Sequence, residues 1–215
     1  TGYQKDSEFL GLMNWPLYLV WDTYQEDFIH RNVGDLSLVK NVGPIFFAEG
    51  PTELPEMPKN SVAIFDIQPI RSSTHFALTS GADFDYKSPK VAIKFIEDIY
   101  TVLSSCNATI VHKRKRHDNR SVKKYRKLLA GLSENQNFIS IEPSTSAMRV
   151  IENCQAVISM PFTSTAILGK SLGKPSIFYD PMGIIQKDDR GAHGIPIING
   201  QEELMSWVKI ALNKP

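Results

Sequence analysis

The chain has 215 residues, of which 42% are hydrophobic and 22% are charged, and its formal net charge is +1. The length suits one large or two small globular domains, and the composition excludes disordered and fibrous chains. The small net charge also excludes a polycation that binds nucleic acid through bulk charge, so we expect no nucleic-acid partner.

The apolar runs and the cysteines indicate the cellular compartment in which the chain is expected. No apolar run reaches about 18 residues, which predicts no membrane-spanning helix. Cys106 and Cys154 form no CxxC pair, so the sequence predicts neither a disulfide framework nor a zinc site. These features favour a reducing, cytoplasmic compartment. The chain begins with Thr1 rather than Met, and we expect a piece of a longer protein.

The first 60 residues are interpreted as a lead-in or hinge segment. Residues 16–22 (PLYLVWD) have the pattern of a buried strand, and residues 23–33 that of an amphipathic helix. Residues 38–47 (LVKNVGPIFF) predict another strand, broken by a Gly-Pro pair. Residues 48–60 are rich in proline and acidic residues, which predicts a linker or long loop.

Short uncharged strands alternate with helices in residues 61–215. Strands are predicted at 61–67, 108–113, 137–143, 156–160, 174–181 and 194–199. Helices are predicted at 88–106, 121–132, 145–154, 163–173 and 201–214. This order predicts an α/β fold with a Rossmann-like parallel sheet and helices on both faces. We interpret 61–215 as one Rossmann-like domain.

Polar side chains follow the predicted strands, at the sheet edge where such folds bind ligands. The candidates after the successive strands are Gln68 and Arg71; His112, Lys113 and Arg114; Glu142 and Pro143; and Pro161, Phe162, Thr163, Ser164 and Thr165. Residues 112–127 hold nine of the 24 lysines and arginines, which predicts an anionic ligand nearby. Hydroxyls at a helix start can bind a phosphate together with the free backbone N–H groups.

Each of these features also has a simpler interpretation. The hydroxyls can be ordinary helix caps, and the cationic run can be a solvated face. His112 can be a surface residue, and Glu142-Pro143 can simply end a strand. Three histidines, His75, His117 and His193, are scattered along the chain, so no metal site is predicted. The sequence has no GxxxxGK[ST], GxGxxG or GxSxG motif, which argues against P-loop kinases, dinucleotide oxidoreductases and α/β-hydrolases.

The segment around the hydroxyl run also resembles a known family. SMPFTSTA (159–166), a helix, Gly-Lys-Pro (173–175) and a strand ending in Tyr-Asp-Pro (179–181) resemble bacterial surface-polysaccharide biosynthesis proteins known by a PFTS motif. Those proteins look like GT-B glycosyltransferases, which implies that 61–215 is a nucleotide-sugar-binding domain. Over about residues 60–182, the arrangement is also similar to the nucleotide-binding half of bacterial sialyl- and Kdo-transferases.

The resemblance implies roles for the candidate residues. His112 stands at the family's His motif, although Lys113 replaces the proline that usually follows, and a catalytic role in the departure of the phosphate leaving group is implied. Lys113 and Arg114 would stabilise that phosphate, Glu142 and Pro143 would contact the nucleoside, and Pro161–Thr165 would hold the phosphate. Gln68 and Arg71 would reach the sugar. GT-B enzymes generally need no bound metal, and no cofactor is expected.

The implied function is transfer of a sugar from a nucleotide sugar, with a CMP-linked acidic sugar as one candidate donor. The acceptor would be a glycan or a lipid-linked glycan. An N-terminal acceptor domain would be missing from this chain, and peripheral contact with the inner membrane is expected. Two alternatives remain open: a nucleotide-sugar epimerase-like enzyme, and a non-catalytic module that docks on anionic lipid or a partner through the basic helix at 120–127.

Overall fold

The computed structural model describes residues 15–34, 38–45, 54–69, 88–115 and 121–213. The N-terminal part forms a small parallel βαβ unit, in which the two strands pair with Tyr18 opposite Val39. Its elements are β1 (Tyr18–Val20), α1 (Thr23–Val33) and β2 (Val39–Asn41).

The remaining elements form a six-stranded sheet with helices on both faces. The strands are β3 (Ser61–Phe65), β4 (Thr109–Lys113), β5 (Phe138–Ile141), β6 (Ala156–Ser159), β7 (Ser176–Asp180) and β8 (Ile197–Asn199). The helices are α2 (Pro89–Ser105), α3 (Lys123–Leu132), α4 (Ala147–Glu152), α5 (Ser164–Ser171) and α6 (Gly200–Leu212), and a 3₁₀ turn covers Arg190–Ala192.

All neighbouring strands of this sheet run parallel, in the order β5-β4-β3-β6-β7-β8. The chain moves outward from β3 through β4 to β5, then crosses back and continues from β6 to β8. The α/β Rossmann-like prediction is therefore confirmed. In a sheet of this order, a crevice forms at the carboxyl ends of the two central strands, here β3 and β6, where the strand order reverses.

The apolar pattern of each helix explains which face of the sheet it covers. Ser88 caps α2 by accepting from the Val91 amide, and Pro89 occupies its first turn. Its apolar residues pack with those of α3 and α6 on one face of the sheet. Side chains of α4 and α5 pack on the other face. Every residue of β3 is buried, as expected for a central parallel strand.

A buried polar cluster joins α2, β7 and α6. The Tyr179 hydroxyl donates to Asp98 Oδ2 at 2.8 Å, and Gln201 Nε2 donates to Oδ1 at the same distance. Lys94 Nζ lies 2.6 Å from Oδ2 of the same carboxylate. Burial and the neighbouring Asp98 raise the pKa of Tyr179 well above its usual range. The cluster is satisfied by hydrogen bonds, as a buried carboxylate requires.

The N-terminal βαβ unit contacts the six-stranded sheet domain near the 3₁₀ turn. Asp22, which caps α1, lies 2.5 Å from His193 Nδ1, and Asp27 pairs with Arg190 at 2.5 Å. The Lys170 ammonium lies over the Tyr24 ring, 5.5 Å from its centroid. These polar contacts join residues that are far apart in the sequence.

Several predicted elements are shorter in the structure. The strand predicted at 16–22 is confirmed only over Tyr18–Val20. Its predicted burial is wrong for Leu19, which is 55% exposed on a two-stranded sheet. The strand predicted at 38–47 ends at Asn41, before Gly43, whose φ of 71° turns the chain. Residues 46–47 and the predicted linker before residue 54 lie outside the described residues.

The strand predicted at 61–67 ends at Phe65, and the helix predicted from 121 begins at Lys123. The helix predicted at 145–154 covers only Ala147–Glu152. These shorter elements leave more residues in the connections that follow the strands, and those connections build the candidate site.

Candidate functional site

A cavity of about 510 Å³ lies at the carboxyl ends of the central strands, where the strand order reverses. Its walls are the carboxyl ends of β3 and β4, the connections that follow β3, β4 and β6, and the first residues of α4 and α5. The lining residues are Phe65, Asp66, Ile67, Lys113, Lys115, Ala147, Pro161, Phe162, Thr163, Ser164 and Thr165. The structure therefore brings cations and hydroxyls to one cavity.

A tight turn directs the chain from β6 into α5. Phe162 has a φ of 59°, a conformation that is uncommon for a bulky residue. Its ring packs against Phe178 of β7 with 6.1 Å between centroids. This packing holds the residue in the turn, and the turn places the first residues of α5 beside the cavity.

The threonine hydroxyls at this turn bond to one another and to the backbone. Thr163 Oγ1 donates to the Met160 carbonyl at 2.7 Å, and Thr165 Oγ1 lies 2.9 Å from Ser159 Oγ. Thr163 is the N-cap residue of α5, yet its side chain makes no capping hydrogen bond. The interpretation of these hydroxyls as ordinary caps is therefore wrong for Thr163, whose oxygen accepts no amide N–H of the first turn.

The backbone N–H donors in the first turn of α5 are consequently available to bind a ligand. Its amide N–H groups have no partner within the helix and receive no side-chain cap from Thr163. Among the described residues, the Ser164 hydroxyl makes no hydrogen bond. These donors lie at the positive end of the helix dipole and at the wall of the cavity, which is a favourable position for an anion.

Lys113 and Lys115 supply positive charge to the same cavity. Lys113 Nζ donates to the Pro143 carbonyl at 3.1 Å and to the Arg114 carbonyl at 3.3 Å, which leaves one of its three N–H donors for a ligand. Burial lowers the pKa of Lys113 from its usual value. An anion in the cavity would favour the charged form and offset that loss of solvation.

Three of the predicted residues lie beside the cavity and are not in its described lining: Arg114, Glu142 and Pro143. Arg114 Nη2 bonds Glu142 Oε1 at 2.8 Å, and the Glu142 side chain is 65% exposed. Pro143 supports Lys113 through its carbonyl. These residues lie next to the end of β4 and make contacts with each other and with Lys113. The cationic partner of Glu142 is therefore Arg114 of the same chain.

His112 is placed differently from the exposed strand-end position that the sequence suggested. It is fully buried, and its ring packs against Phe138 with 5.8 Å between centroids. Consecutive residues of a strand point to opposite faces of the sheet, so Lys113 lines the cavity and His112 is absent from its described lining. The interpretation of His112 as a surface residue is therefore wrong, and its role at the leaving phosphate stays a prediction.

Gln68 is half-buried and is not in the described lining of the cavity, while Arg71 lies outside the described residues. Sequence reasoning missed Asp66, because the strand was predicted to continue through Ile67. An earlier strand end would have placed Asp66 at the sheet edge. Lys115 was part of the cationic run but was not singled out from it.

A larger groove of about 910 Å³ lies at the opposite, amino edge of the sheet, where Asn60, Gln155 and Pro175 precede their strands. Two of its lysines are already engaged. Lys174 Nζ donates to the carbonyls of Glu152 and Cys154, and Lys170 Nζ donates to that of His193. The carboxyl edge is the better candidate, because its helix terminus and its cations retain free donors.

The described part of the chain shows no cluster of three or more His, Cys, Asp or Glu side chains arranged for a metal ion. Within the same residues, each helix is too short or too polar to cross a bilayer. The arrangement at the carboxyl edge can bind a phosphate or diphosphate through backbone N–H groups, a serine hydroxyl and two lysines.

Comparison with solved structures finds a chain with similar architecture. It is a point mutant of S. aureus TarM, whose crystal structure is in complex with Fondaparinux, alpha-GlcNAc-glycerol and UDP, and it matches with a TM-score of 0.45 and 13% identity. The similarity covers 95% of the present chain and 39% of that chain. The chain thus spans well under half the length of that structure.

Among the curated proteins, none matches the chain. The sequence does match one family over residues 3–208, which include both the N-terminal βαβ unit and the six-stranded sheet domain. The chain belongs to the family described as polysaccharide biosynthesis PFTS motif proteins.

Proposed function

We propose that the cavity binds the phosphate part of a nucleotide sugar, and that the chain supplies the donor-binding half of a GT-B type glycosyltransferase in bacterial surface-polysaccharide biosynthesis. The observation that carries this proposal is the convergence of Lys113, Lys115 and the uncapped start of α5 on one cavity. The family to which the chain belongs supports the biosynthetic context.

The chemistry follows from where charge develops in glycosyl transfer. Breaking the bond between the sugar and the nucleotide leaves negative charge on a phosphate oxygen. Donors that are already oriented towards that oxygen lower the barrier, because they need no rearrangement during the reaction. Lys113, Ser164 and Thr165 line the cavity, and in our proposal the Lys113 ammonium and the amides of Ser164 and Thr165 take that role.

The identity of the donor and the acceptor belongs to the proposal as well. A CMP-linked acidic sugar is one candidate donor, and UDP- and GDP-sugars are the others to be compared. The acceptor would be a glycan or lipid-linked glycan, held by a further domain or a partner protein. The cavity would then form one wall of a cleft whose other wall binds the acceptor.

Isothermal titration calorimetry with CMP, UDP and GDP tests the proposal. We expect the chain to bind one nucleotide preferentially, and we expect the double change Lys113→Ala with Ser164→Ala to weaken that binding by about tenfold or more. Lys59→Ala is the matched control, because it removes an exposed lysine at the other edge of the sheet. Its affinity should equal that of the unaltered chain.

Absence of binding by all three nucleotides, or equal affinity of the double variant and the unaltered chain, would contradict the proposal.

A docking module is the second candidate, because α3 carries four exposed cations, Lys123, Lys124, Arg126 and Lys127. Binding to vesicles of anionic lipid without any nucleotide binding would support that candidate instead. Product analysis with a nucleotide sugar would separate a transferase from an epimerase.

A further inference from the structure

We propose that the cationic face of α3 docks the protein on an anionic lipid surface and thereby holds the carboxyl edge of the sheet, with its cavity, next to the bilayer. This face consists of four exposed side chains, Lys123, Lys124, Arg126 and Lys127. The inference goes beyond the proposed function, because nucleotide binding and lipid docking then belong to one molecule. It rests on that function only in its consequence, which is that the acceptor is the lipid-linked one.

The four cations of α3 have no acidic partner within the described residues. The helix itself, KKYRKLLAGL, contains neither Asp nor Glu. Other helices of the described chain do pair such charges, as Lys94 does with Asp98 and Arg149 with Glu152. The charges of α3 are therefore available to a partner outside the protein.

The position of these charges also works against the stability of the helix. Lys123 and Lys124 lie in the first turn of α3, at the positive end of the helix dipole, where acidic side chains are favoured. The N-cap residue Val122 makes no side-chain capping hydrogen bond. Like charges four residues apart, such as those of Lys123 and Lys127, repel each other as well. An external anionic surface would relieve this repulsion, whereas the fold alone gains nothing from it.

The exposed charge is concentrated at the end of α3 that lies near the cavity. All four cations lie within residues 123–127, whereas the exposed residues of the second half are Ala130 and Gly131. Tyr125 belongs to the first half but is buried, and its hydroxyl donates to Asp66, which directly follows β3. This bond holds the start of α3 at the carboxyl edge of the sheet, the edge that contains the cavity.

The form of the cationic face favours a bilayer over a ligand that is recognised by its shape. Shaped ligands bind in concave sites, and the larger cavities of the described chain have no α3 residue in their walls. An anionic bilayer attracts cations through its surface potential and requires no groove. Each lysine or arginine near such a surface strengthens binding by about fivefold.

Docking through α3 determines which part of the protein is near the membrane. The surface potential decays within a Debye length, about 8 Å at physiological salt, so the cations contribute only when the start of α3 lies against the headgroups. The cavity shares that edge of the sheet with the start of α3. A bound nucleotide sugar would therefore be held close to lipid-linked acceptors.

Co-sedimentation of the full chain with vesicles tests the inference. The vesicles are phosphatidylcholine with about one-third phosphatidylglycerol, or phosphatidylcholine alone, and we expect binding only to the anionic ones, weakening as salt rises. Lys123→Glu with Lys124→Glu should weaken this binding by about twentyfold or more. The same change places acidic residues in the first turn of α3, so the variant should unfold at the same temperature as the unaltered chain or a higher one.

Lys59→Glu with Lys209→Glu is the matched control. Both lysines are exposed, Lys59 lines the groove at the amino edge, and Lys209 lies in the last turn of α6, next to residues of the same groove. The control changes net charge by the same amount and should weaken vesicle binding by about twofold or less. Equal losses in the two variants would show that only net charge matters, and would overturn the inference.

A second variant and a second measurement protect the test. If the first variant fails to fold, Arg126→Gln with Lys127→Gln replaces it, with the same expected loss. Lipids that carry a nitroxide at the headgroup test the orientation, because they should broaden the amide signals of 123–127 more than those of Gln155 and Lys174 at the amino edge. Stronger broadening at the amino edge would overturn the inference.

The remaining outcomes separate this inference from the proposed function. Failure to bind anionic vesicles overturns it, and so does binding of soluble dextran sulfate through the same lysines without vesicle binding, since the partner would then be an acidic glycan. Calorimetry should show about a twofold change or less in the nucleotide affinity of the α3 variant. Nucleotide binding without vesicle binding refutes only the docking of α3, and vesicle binding without nucleotide binding refutes only the proposed function.

Discussion

Lys113 shows how burial makes a binding residue sensitive to its ligand. Its ammonium donates to two backbone carbonyls. Burial lowers its pKa from the usual value of 10.5. Because only the charged form attracts a phosphate, binding of an anion and protonation of Lys113 favour each other.

The pH dependence of binding tests this coupling. As pH rises through the lowered pKa, Lys113 loses its charge, so affinity for CMP should begin to fall below pH 10.5. Lys113→Arg keeps its charge over this range, and its affinity should fall less steeply. Calorimetry would measure both proteins from neutral to alkaline pH. Any effect of ligand titration on affinity is the same for both, so the difference between them reports on residue 113. Parallel declines in both proteins would contradict the role of Lys113.

At the level of single residues, the sequence identified the types of group at the site better than their orientation. The cationic strand end and the hydroxyl run were both visible in the sequence, and Lys113 and Ser164 do line one cavity. The surface interpretation of His112 was wrong because the residue is buried, and alternation along β4 points it to the opposite face from Lys113. Asp66 was missed because apolar Ile67 made the preceding strand look longer than it is.

At the level of elements, the position of α5 depends on its close approach to the sheet. A Cβ atom added at Gly169 would lie 2.8 Å from Val157 Cγ2 of β6 and would also overlap Ser176 Oγ of β7. Only a residue without a side chain lets the helix pack this closely. This contact sets the distance of α5 from the sheet, and therefore the position of its first turn at the cavity.

Gly169→Ala should therefore destabilise the protein. Alanine favours a helix over glycine by about 1 kcal/mol, but overpacking costs about 1–3 kcal/mol, so we expect the overlap to dominate. We also expect weaker nucleotide binding, because relief of the overlap displaces the start of α5.

Gly131→Ala is the matched control, since Gly131 also lies in a helix and an added Cβ there meets no atom within 4 Å. Urea unfolding should show the control as stable as the unaltered chain or slightly more so. If the two alanine variants were equally stable, close packing of α5 would not determine its position.

The sequence predicted the order of strands and helices well from residue 61 onward, because apolar periodicity and Gly-Pro signals are local features. Element ends were less accurate. Thr145 has the residue type of a helix start, but α4 begins only at Ala147, after a turn that ends at Thr145 with a bond to the Glu142 carbonyl. The cap of α5 was misread for a similar reason, since a residue type does not show which oxygen a hydroxyl will bond.

At the level of the whole molecule, the reversal of strand order around β3 and β6 brings distant segments together. Residues 66, 113 and 164 are far apart in the sequence, and the topology places them at one edge. The alternating pattern predicted this general edge. The contacts that depend on the three-dimensional fold, such as Asp22 with His193, have no local sequence signal and could not be predicted.

The two edges of the sheet offer competing sites for an anion. The amino-edge groove is larger and also contains lysines, but Lys170 and Lys174 donate to backbone carbonyls there. The carboxyl-edge cavity is smaller and combines two lysines with the start of a helix. The proposed function therefore depends on which edge holds the phosphate.

The most direct measurement is an NMR titration of the 24.2 kDa chain with the nucleotide that binds best, observed at the backbone amides. We predict that the largest shifts occur at Ser164, Thr165 and Ala166, with accompanying shifts at Lys113 and Lys115. The largest shifts at Lys59, Gln155 and Lys174, with little change at the start of α5, would place the nucleotide at the other edge and contradict the proposed site.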